Sequence, residues 1–318
     1  MAHLITTALT YSKEDAMKYF FQPMFINNPM LSDFDVMYGV KGSFKLNKFA
    51  SLDKITKANA AGFSGQTGAT LTQRSITVSR CEAEASQDGD TFYNTIYGEV
   101  LKSGNSKDDI DGTLIRQIAS QIFTNGTQRD LNRQLWFGDT AGAADYSIYD
   151  GIFKNYASLP AGQKVVGAVG ALATDAAIGA FETMYAAAPD ELLEMKGDIV
   201  LEVSRTVADN FRETLEAKGV SEGFMAIVDG IPQLRWRGMR IIEHPEWDTH
   251  ITADSLATDV HRIVMHVRKN VVVGTDLDQV GGVDFWYNKD EKENRMRMNY
   301  VLGTNYKNDE LAVTYISA

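Results

Sequence analysis

Cysteine is almost missing from this chain of 318 residues, with Cys81 the only one. A lone cysteine excludes an internal disulfide and a zinc site built from paired CxxC motifs. Cys81 therefore reads as an ordinary strand residue. Positive charge is also in deficit: 31 Lys and Arg face 42 Asp and Glu, a formal net charge of -11. That sign is wrong for a protein whose affinity comes from neutralising phosphates, so tight nucleic-acid binding is disfavoured. No run of about 18 apolar residues occurs. The start, "MAHLITTALTYSKEDAMKYF", lacks the basic beginning and the apolar core of a signal peptide. The expectation is a soluble protein made in a cytoplasm.

Catalytic signatures are missing as well. The chain has no GxxxxGK[ST], no GxGxxG after a strand, no GxSxG and no HExxH, which removes the common patterns for nucleotide phosphates, esterases and zinc hydrolases. Gly62, Gly65 and Gly68 repeat every three residues, but a strand-like stretch follows them, whereas a phosphate loop opens a helix. The acidic "KDDIDG" fails as a calcium loop, because placing Gly112 at the sixth position puts Lys107 at the first, where a carboxylate is needed. In "HPEWDTH", His244, Glu246, Asp248 and His250 alternate and would converge on a metal if extended. The plainer reading is a polar loop packed by Pro245 and Trp247.

What the sequence does contain is a hydrophobic share of 44% with 23% charged residues, enough for a large core. At this length two subdomains are expected. Residues 1–37 read as an arm: Tyr19, Phe20, Phe21, Phe25 and Met30 cluster around Pro23 and Pro29, which stop regular structure. Aromatics on a broken segment need a surface, on the same molecule or on a neighbouring subunit. "GSFKLNKF" and "TLTQRSITVSR" alternate as strands do, and "KANAAGFSGQTGAT" between them supplies a glycine-rich tip, so a long hairpin is expected. From Asp111 to Phe137 the period becomes helical, with Leu114, Ile118 and Ile122 four apart, joined by Ile115, Phe123, Leu131 and Leu135, and with Gly126 as a weak point.

Residues from about 151 to 247 read as an α/β unit. One helix spans Thr174 to Ala188 with Ile178, Phe181 and Tyr185 inward, and a second carries Val207, Phe211 and Leu215 on one face. Beyond Asp254 come "HRIVMHV", "VDFWYN", "RMRMNYVL" and "ELAVTYI". In the third, Met296, Met298, Tyr300 and Leu302 share one face while Arg295, Arg297, Asn299 and Val301 share the other. The turn "KDEKEN" joins the second and third as an antiparallel pair, and the long helix is the best cover for their apolar face. A sheet-and-helix body with an inserted α/β unit follows.

An aromatic arm, a long hairpin with a glycine-rich tip, a long helix, an inserted α/β unit and a return to sheet, closed by "VDFWYNKDEKENRMRMNYVLGTNYKNDELAVTYISA", together resemble the major capsid proteins of tailed bacteriophages, the Hong Kong 97-type fold. The resemblance implies an α+β chain with an N-arm at 1–37, an E-loop hairpin at 38–98, and the first part of a P-domain with its spine helix at 99–150. An inserted A-domain would take 151–250, and P-domain strands would take 251–318. It implies a non-enzymatic shell protein without a cofactor or metal, assembling into hexamers and pentamers of an icosahedral head around double-stranded DNA. Phe20, Phe21, Phe25, Gly62, Phe63, Gly65 and Gly68 would contact neighbouring subunits, Arg295 and Arg297 would face a subunit boundary or solvent, and Leu114, Ile118 and Ile122 would pack the spine under the strands of Phe285, Met296 and Met298. Implied partners are other copies of the chain, a portal and decoration proteins, with no membrane. Because the arm begins near Met1, either a separate scaffolding protein or prior processing is implied. The location would be the virion capsid, assembled in a bacterial cytoplasm. Two other readings are an encapsulin-type compartment of the same fold and a metal-dependent α/β enzyme using His244 and His250.

Overall fold

The computed structural model describes residues 34–49, 71–88, 114–142, 147–167, 171–219, 225–228, 231–253, 261–276 and 283–317. The aromatic arm and the glycine-rich hairpin tip lie outside the described residues. In chain order the strands are β1 Asp35–Tyr38, β2 Ser43–Phe49, β3 Leu71–Thr77, β4 Ser79–Asp88, β5 Lys164–Gly167, β6 Ile199–Ser204 and β7 Met225–Val228. They continue with β8 Ile231–Trp236, β9 Met239–His244, β10 Arg262–Val267, β11 Val271–Thr275, β12 Asp284–Asn288, β13 Glu293–Tyr306 and β14 Ala312–Ser317. The helices are α1 Leu114–Phe137, α2 Ile152–Tyr156, α3 Ala176–Ala186, α4 Asp190–Glu194, α5 Arg205–Ala217 and α6 Pro245–Ala253. Among the described residues no helix is long and apolar enough to cross a membrane.

Two compact units share the chain. The first takes Met1–Lys41, Val78–Asn155 and Val273–Thr304, and the second takes Gly42–Thr77, Tyr156–Val272 and Asn305–Ala318. In the first, a five-stranded sheet runs β1-β11-β13-β12, with β4 also paired to β13. The alternation in the sequence of β13 becomes alternation of burial: Met296, Met298 and Tyr300 are buried, Arg295 and Arg297 half-buried and Asn299 exposed. The turn at 289–292 sets Phe285 opposite Met296 as the antiparallel reading requires, and β4 sets Cys81 opposite Tyr300. The Asp130 charge of α1 adds to the burial that raises both the Cys81 thiol and the Tyr300 hydroxyl, so both residues lie within its electrostatic reach.

The packed face of α1 includes three of the expected residues and leaves one of them out. Phe123, Thr127, Leu131 and Leu135 are buried, whereas Ile122 is 65% exposed. The buried face continues into Trp136 and Phe137, where Trp136 meets Phe34 and Phe153 at ring distances of 6.2 and 5.5 Å and Phe137 meets Phe153 at 5.2 Å. Gly126 does not interrupt the helix.

In the second unit a seven-stranded sheet has the order β5-β14-β10-β6-β9-β8-β7. Here β6 and β9 are parallel, as are β5 and β14, while β10 runs antiparallel to both β6 and β14. The strands after residue 251, expected to form one sheet, are thus divided. β12 and β13 stay together, but β10 and β14 flank the α/β strands. Their composition explains this: "RIVMHV" is buried at every position, as a strand covered on both faces must be, and only the middle of a two-sided sheet offers that. One face carries Ile199, Leu201, Val203, Ile241, Ile263, Met265 and Val313, covered by Phe181 and Met184 of α3 and Val207, Phe211 and Leu215 of α5. The hairpin β2–β3 pairs as read, with Phe44 opposite Ile76 and Leu46 opposite Arg74.

Candidate functional site

The opposite face of the seven-stranded sheet carries charge. Glu202 lies mid-strand in β6, opposite Val264 on one side and Ile242 on the other. The register puts His266 opposite Val200 and His244 opposite Ser204, each one diagonal step from Glu202 on the same face. His266 Nε2 lies 3.3 Å from Glu202 Oε1, and Arg268 Nε donates to that oxygen at 2.5 Å. The imidazole of His244 bonds the other carboxylate oxygen and stacks on Trp247, centroids 4.4 Å apart and planes within 5°. Tyr156 of α2 bonds His266 Nδ1 at 2.8 Å. All five polar side chains are buried.

These contacts fix the proton positions. A tyrosine hydroxyl facing Nδ1 has a proton to donate, so the His266 proton sits on Nε2 and points at the carboxylate. Burial pushes the Glu202 carboxyl up, but His244 and Arg268 outweigh it and hold the group well below the usual carboxylate range. Burial pushes the His266 imidazole down despite Glu202. Burial, reinforced by the Glu202 charge, drives the Tyr156 hydroxyl well above its ordinary value. The glutamate and arginine charges cancel within the network. With each group inside the sheet, the network holds strands together and is not presented to a soluble substrate.

A second polar cluster gathers serine, histidine and aspartate without forming a catalytic line. Asp248 of α6 accepts from Thr206 N at 2.9 Å, spending its carboxylate on the first turn of α5. Burial pushes that carboxyl up. His261 Nδ1 meets Thr206 Oγ1 at 2.9 Å, and the Ser204 hydroxyl reaches the same threonine at 3.3 Å. A nucleophile, a base and an orienting acid need direct contacts in that order; here Thr206 stands at the centre.

The alternating residues of "HPEWDTH" do not converge. Pro245 starts a helix where a polar loop was expected, which suits its fixed φ. Residues two apart on a helix point about 200° apart at 3.6 residues per turn. His244 accordingly partners Glu202, Asp248 turns to α5, and His250 stays on α6 at 3.7 Å from Glu246. Among the described residues no group of three or more His, Cys, Asp or Glu could hold a metal ion.

Of the residues expected at subunit contacts, Phe20, Phe21, Phe25, Gly62, Phe63, Gly65 and Gly68 lie outside the described residues. Arg295 and Arg297 stand on the outward face of β13. Arg297 pairs with Glu82 at 2.7 Å and Glu84 at 2.5 Å and lies 5.8 Å from the Trp286 ring; Arg295 pairs with Glu291 at 2.9 Å. In the second unit, the root of the hairpin is tied to residues 305–311. Arg74 pairs with Asp309 and lies 4.0 Å over the Tyr306 ring, Lys48 meets Glu310 at 2.8 Å, and Asn305 donates to Ser75 O at 2.7 Å. Sequence reading missed the Glu202 network; its available signal was one carboxylate inside the apolar "IVLEVS" and one imidazole inside "RIVMHV".

Two units, each combining a sheet with helices, one of them carrying a buried ionic centre, make this an α+β chain. No family model and no curated protein matches the chain by sequence. Solved structures match it by fold. A chain of the satellite phage P4 procapsid including size determination protein superposes with a TM-score of 0.59 at 8% identity, over 93% of this chain and 96% of that one. A chain from Mycobacterium phage Ogopogo gives 0.59 at 9% identity over 92% of each. A chain of the holo-SrpI encapsulin complex from Synechococcus elongatus gives 0.52 at 10% identity, over 91% of this chain and 87% of that one. The chain has the α+β capsid-protein fold, and the likeness to tailed-phage capsid proteins holds at the level of fold.

Proposed function

We propose that this chain is the major capsid protein of a tailed bacteriophage, a non-enzymatic protein that self-assembles into the hexamers and pentamers of an icosahedral head around double-stranded DNA. The observation that carries the reading is the agreement of fold with a phage procapsid chain across nearly the full length of both. Support also comes from the hairpin: Phe44 on β2 is 47% exposed, apolar surface that burial against a neighbouring copy would remove from water. On this reading the arm at 1–37 and the E-loop at 38–98 lie across neighbours, with Phe20, Phe21, Phe25, Gly62, Phe63, Gly65 and Gly68 in contact. The spine helix and P-domain were expected at 99–150 and 251–318 and the A-domain at 151–250, but β10 and β14 join the sheet of the α/β unit, so on this reading they go with the A-domain. Arg295 and Arg297 exchange their intrachain carboxylates for those of another subunit. The acidic balance lets the shell enclose DNA without adsorbing it. A scaffolding protein, a portal and decoration proteins are the expected partners, with assembly in the host cytoplasm.

Negative-stain electron microscopy of the purified protein beside size-exclusion chromatography tests this. Closed shells, or rings of five or six subunits, are expected. A protein that stays monomeric alone and with a candidate scaffolding protein would overturn it. A second reading, an encapsulin-type shell, is favoured by the match to the encapsulin complex. Shells purified from the native source separate the two: double-stranded DNA inside supports the phage head, and a co-purifying cargo enzyme supports the compartment.

A further inference from the structure

We propose that His266 is the proton-sensitive end of a latch that connects the buried centre of the seven-stranded sheet to the root of the β2–β3 hairpin. The connection is a continuous row of side chains within one compact unit. His266 Nδ1 meets the Tyr156 hydroxyl at 2.8 Å, and the two rings are edge-on with centroids 5.8 Å apart. The Tyr156 ring packs on Tyr306 at 5.1 Å. Tyr306 is held by Ser158 at 2.8 Å between hydroxyl oxygens, and its ring is the seat on which the Arg74 guanidinium of β3 rests at 4.0 Å. From His266 to the hairpin, every step is a direct contact.

The proton matters because of the tautomer. Neutral His266 donates from Nε2 to Glu202 and accepts at Nδ1 from Tyr156. A second ring proton makes Nδ1 a donor, and the Tyr156 hydroxyl must turn its own proton away. Among the described residues that hydroxyl has His266 as its hydrogen-bond partner, so the displaced proton finds no acceptor in a fully buried place. Of the charged groups facing the latch, Glu202 favours the extra proton and Arg268 opposes it. Glu202 of β6 is already matched by Arg268 and bonded by His244 of β9. Arg262 lies on the same face of β10, Arg240 on the same face of β9, and Arg74 with Asp309 stands at the hairpin end. Protonation therefore favours a form in which Tyr156 leaves His266, Tyr306 loses its neighbour and the seat under Arg74 loosens.

Hydrogen exchange on the full chain, corrected for intrinsic chemistry and measured at about pH 7.5 and about pH 5.5, tests the latch. One proton taken up at the ordinary histidine value populates the open form about tenfold more at the lower pH. Protection in residues 71–77 and 262–267 is expected to fall by about that factor, while residues 284–288 and 293–302 hold within about twofold. His266→Gln, which keeps an amide near the Nε2 position and does not titrate, is expected to reduce the hairpin response to under about twofold. If that variant does not fold, Tyr156→Phe serves: it removes the hydroxyl but keeps the ring, and the hairpin response is again expected to vanish. The latch is overturned if the wild-type hairpin keeps its protection at the lower pH, if all strands loosen together, or if a folded variant retains the acid response.

Discussion

The Arg268 Nε–H meets Glu202 Oε1 at 2.5 Å with both side chains inside the protein, so neither charge can turn to water if its partner is removed. Losing one member of such a pair costs about 3–5 kcal/mol, because a bare charge stays buried. Glu202→Gln and Arg268→Met are each expected to lower the thermal transition of the second unit by roughly 10 °C, at about 2–4 °C per kcal/mol for a unit of this size. Scanning calorimetry checks this. A double variant that costs less than the two single changes added together is also expected, since the pair is removed as a unit.

Acid should weaken the same unit, with the sign set by two groups. His266 has its folded value below the ordinary 6.5, so the unfolded chain binds more protons there and the stability it contributes is lost as pH falls below about 6.5. Glu202 has its folded value well below 4.5, so its contribution is present above that value and disappears as pH falls further. A melting temperature that is flat from about pH 8 to 7 and declines below, more steeply under about pH 4.5, is the expected curve. A melting temperature that rises on acidification would contradict both assignments.

Cys81 offers a probe of the first unit. It is buried opposite Tyr300, and burial pushes its thiol up to about 12. Thiolate is the reacting form, so the folded chain should react with a disulfide reagent at pH 8 far more slowly than the urea-unfolded chain, by roughly a thousandfold or more. Labelling against urea concentration should therefore follow opening of the β4–β13 pairing. Rapid labelling under native conditions would show that this strand pair opens readily.

Two glycines near one helix should respond oppositely to alanine. Gly126 lies mid-helix in α1 with nothing within 4 Å of an added Cβ, and Gly126→Ala should stabilise by about 0.5–1 kcal/mol. Gly138 ends the helix where the chain passes Gly151, whose N–H bonds the Gly138 carbonyl at 2.7 Å. An added Cβ at Gly138 would sit 2.4 Å from the Tyr149 carbonyl oxygen and 2.7 Å from that of Gln134, so Gly138→Ala must displace backbone. A loss of about 2 kcal/mol or more is expected in chemical denaturation, within the range of overpacking costs.

The sequence by itself determined the local elements. Alternation in "RMRMNYVL" has one extended solution with methionines inward, the charged turn before it fixes an antiparallel pair, and the spacing of Val207, Phe211 and Leu215 fixes the buried face of α5. These patterns work because a side chain's direction follows from backbone period alone. Tertiary structure decided what period cannot. Of the apolar residues read on α1, Phe123, Leu131 and Leu135 are buried while Ile122 is exposed, a choice made where Phe34 and Phe153 meet Trp136 at the end of the helix. The apolar run of β10 announced a strand but not its neighbours, and pairing with β6 and β14 joins segments more than 45 residues apart. The pairing of β10 with β6, and of β6 with β9, brings Glu202, His244, His266 and Arg268 together. A buried charge is tolerable only where distant chain supplies its partners, so the ionic centre of this protein exists only in the assembled sheet.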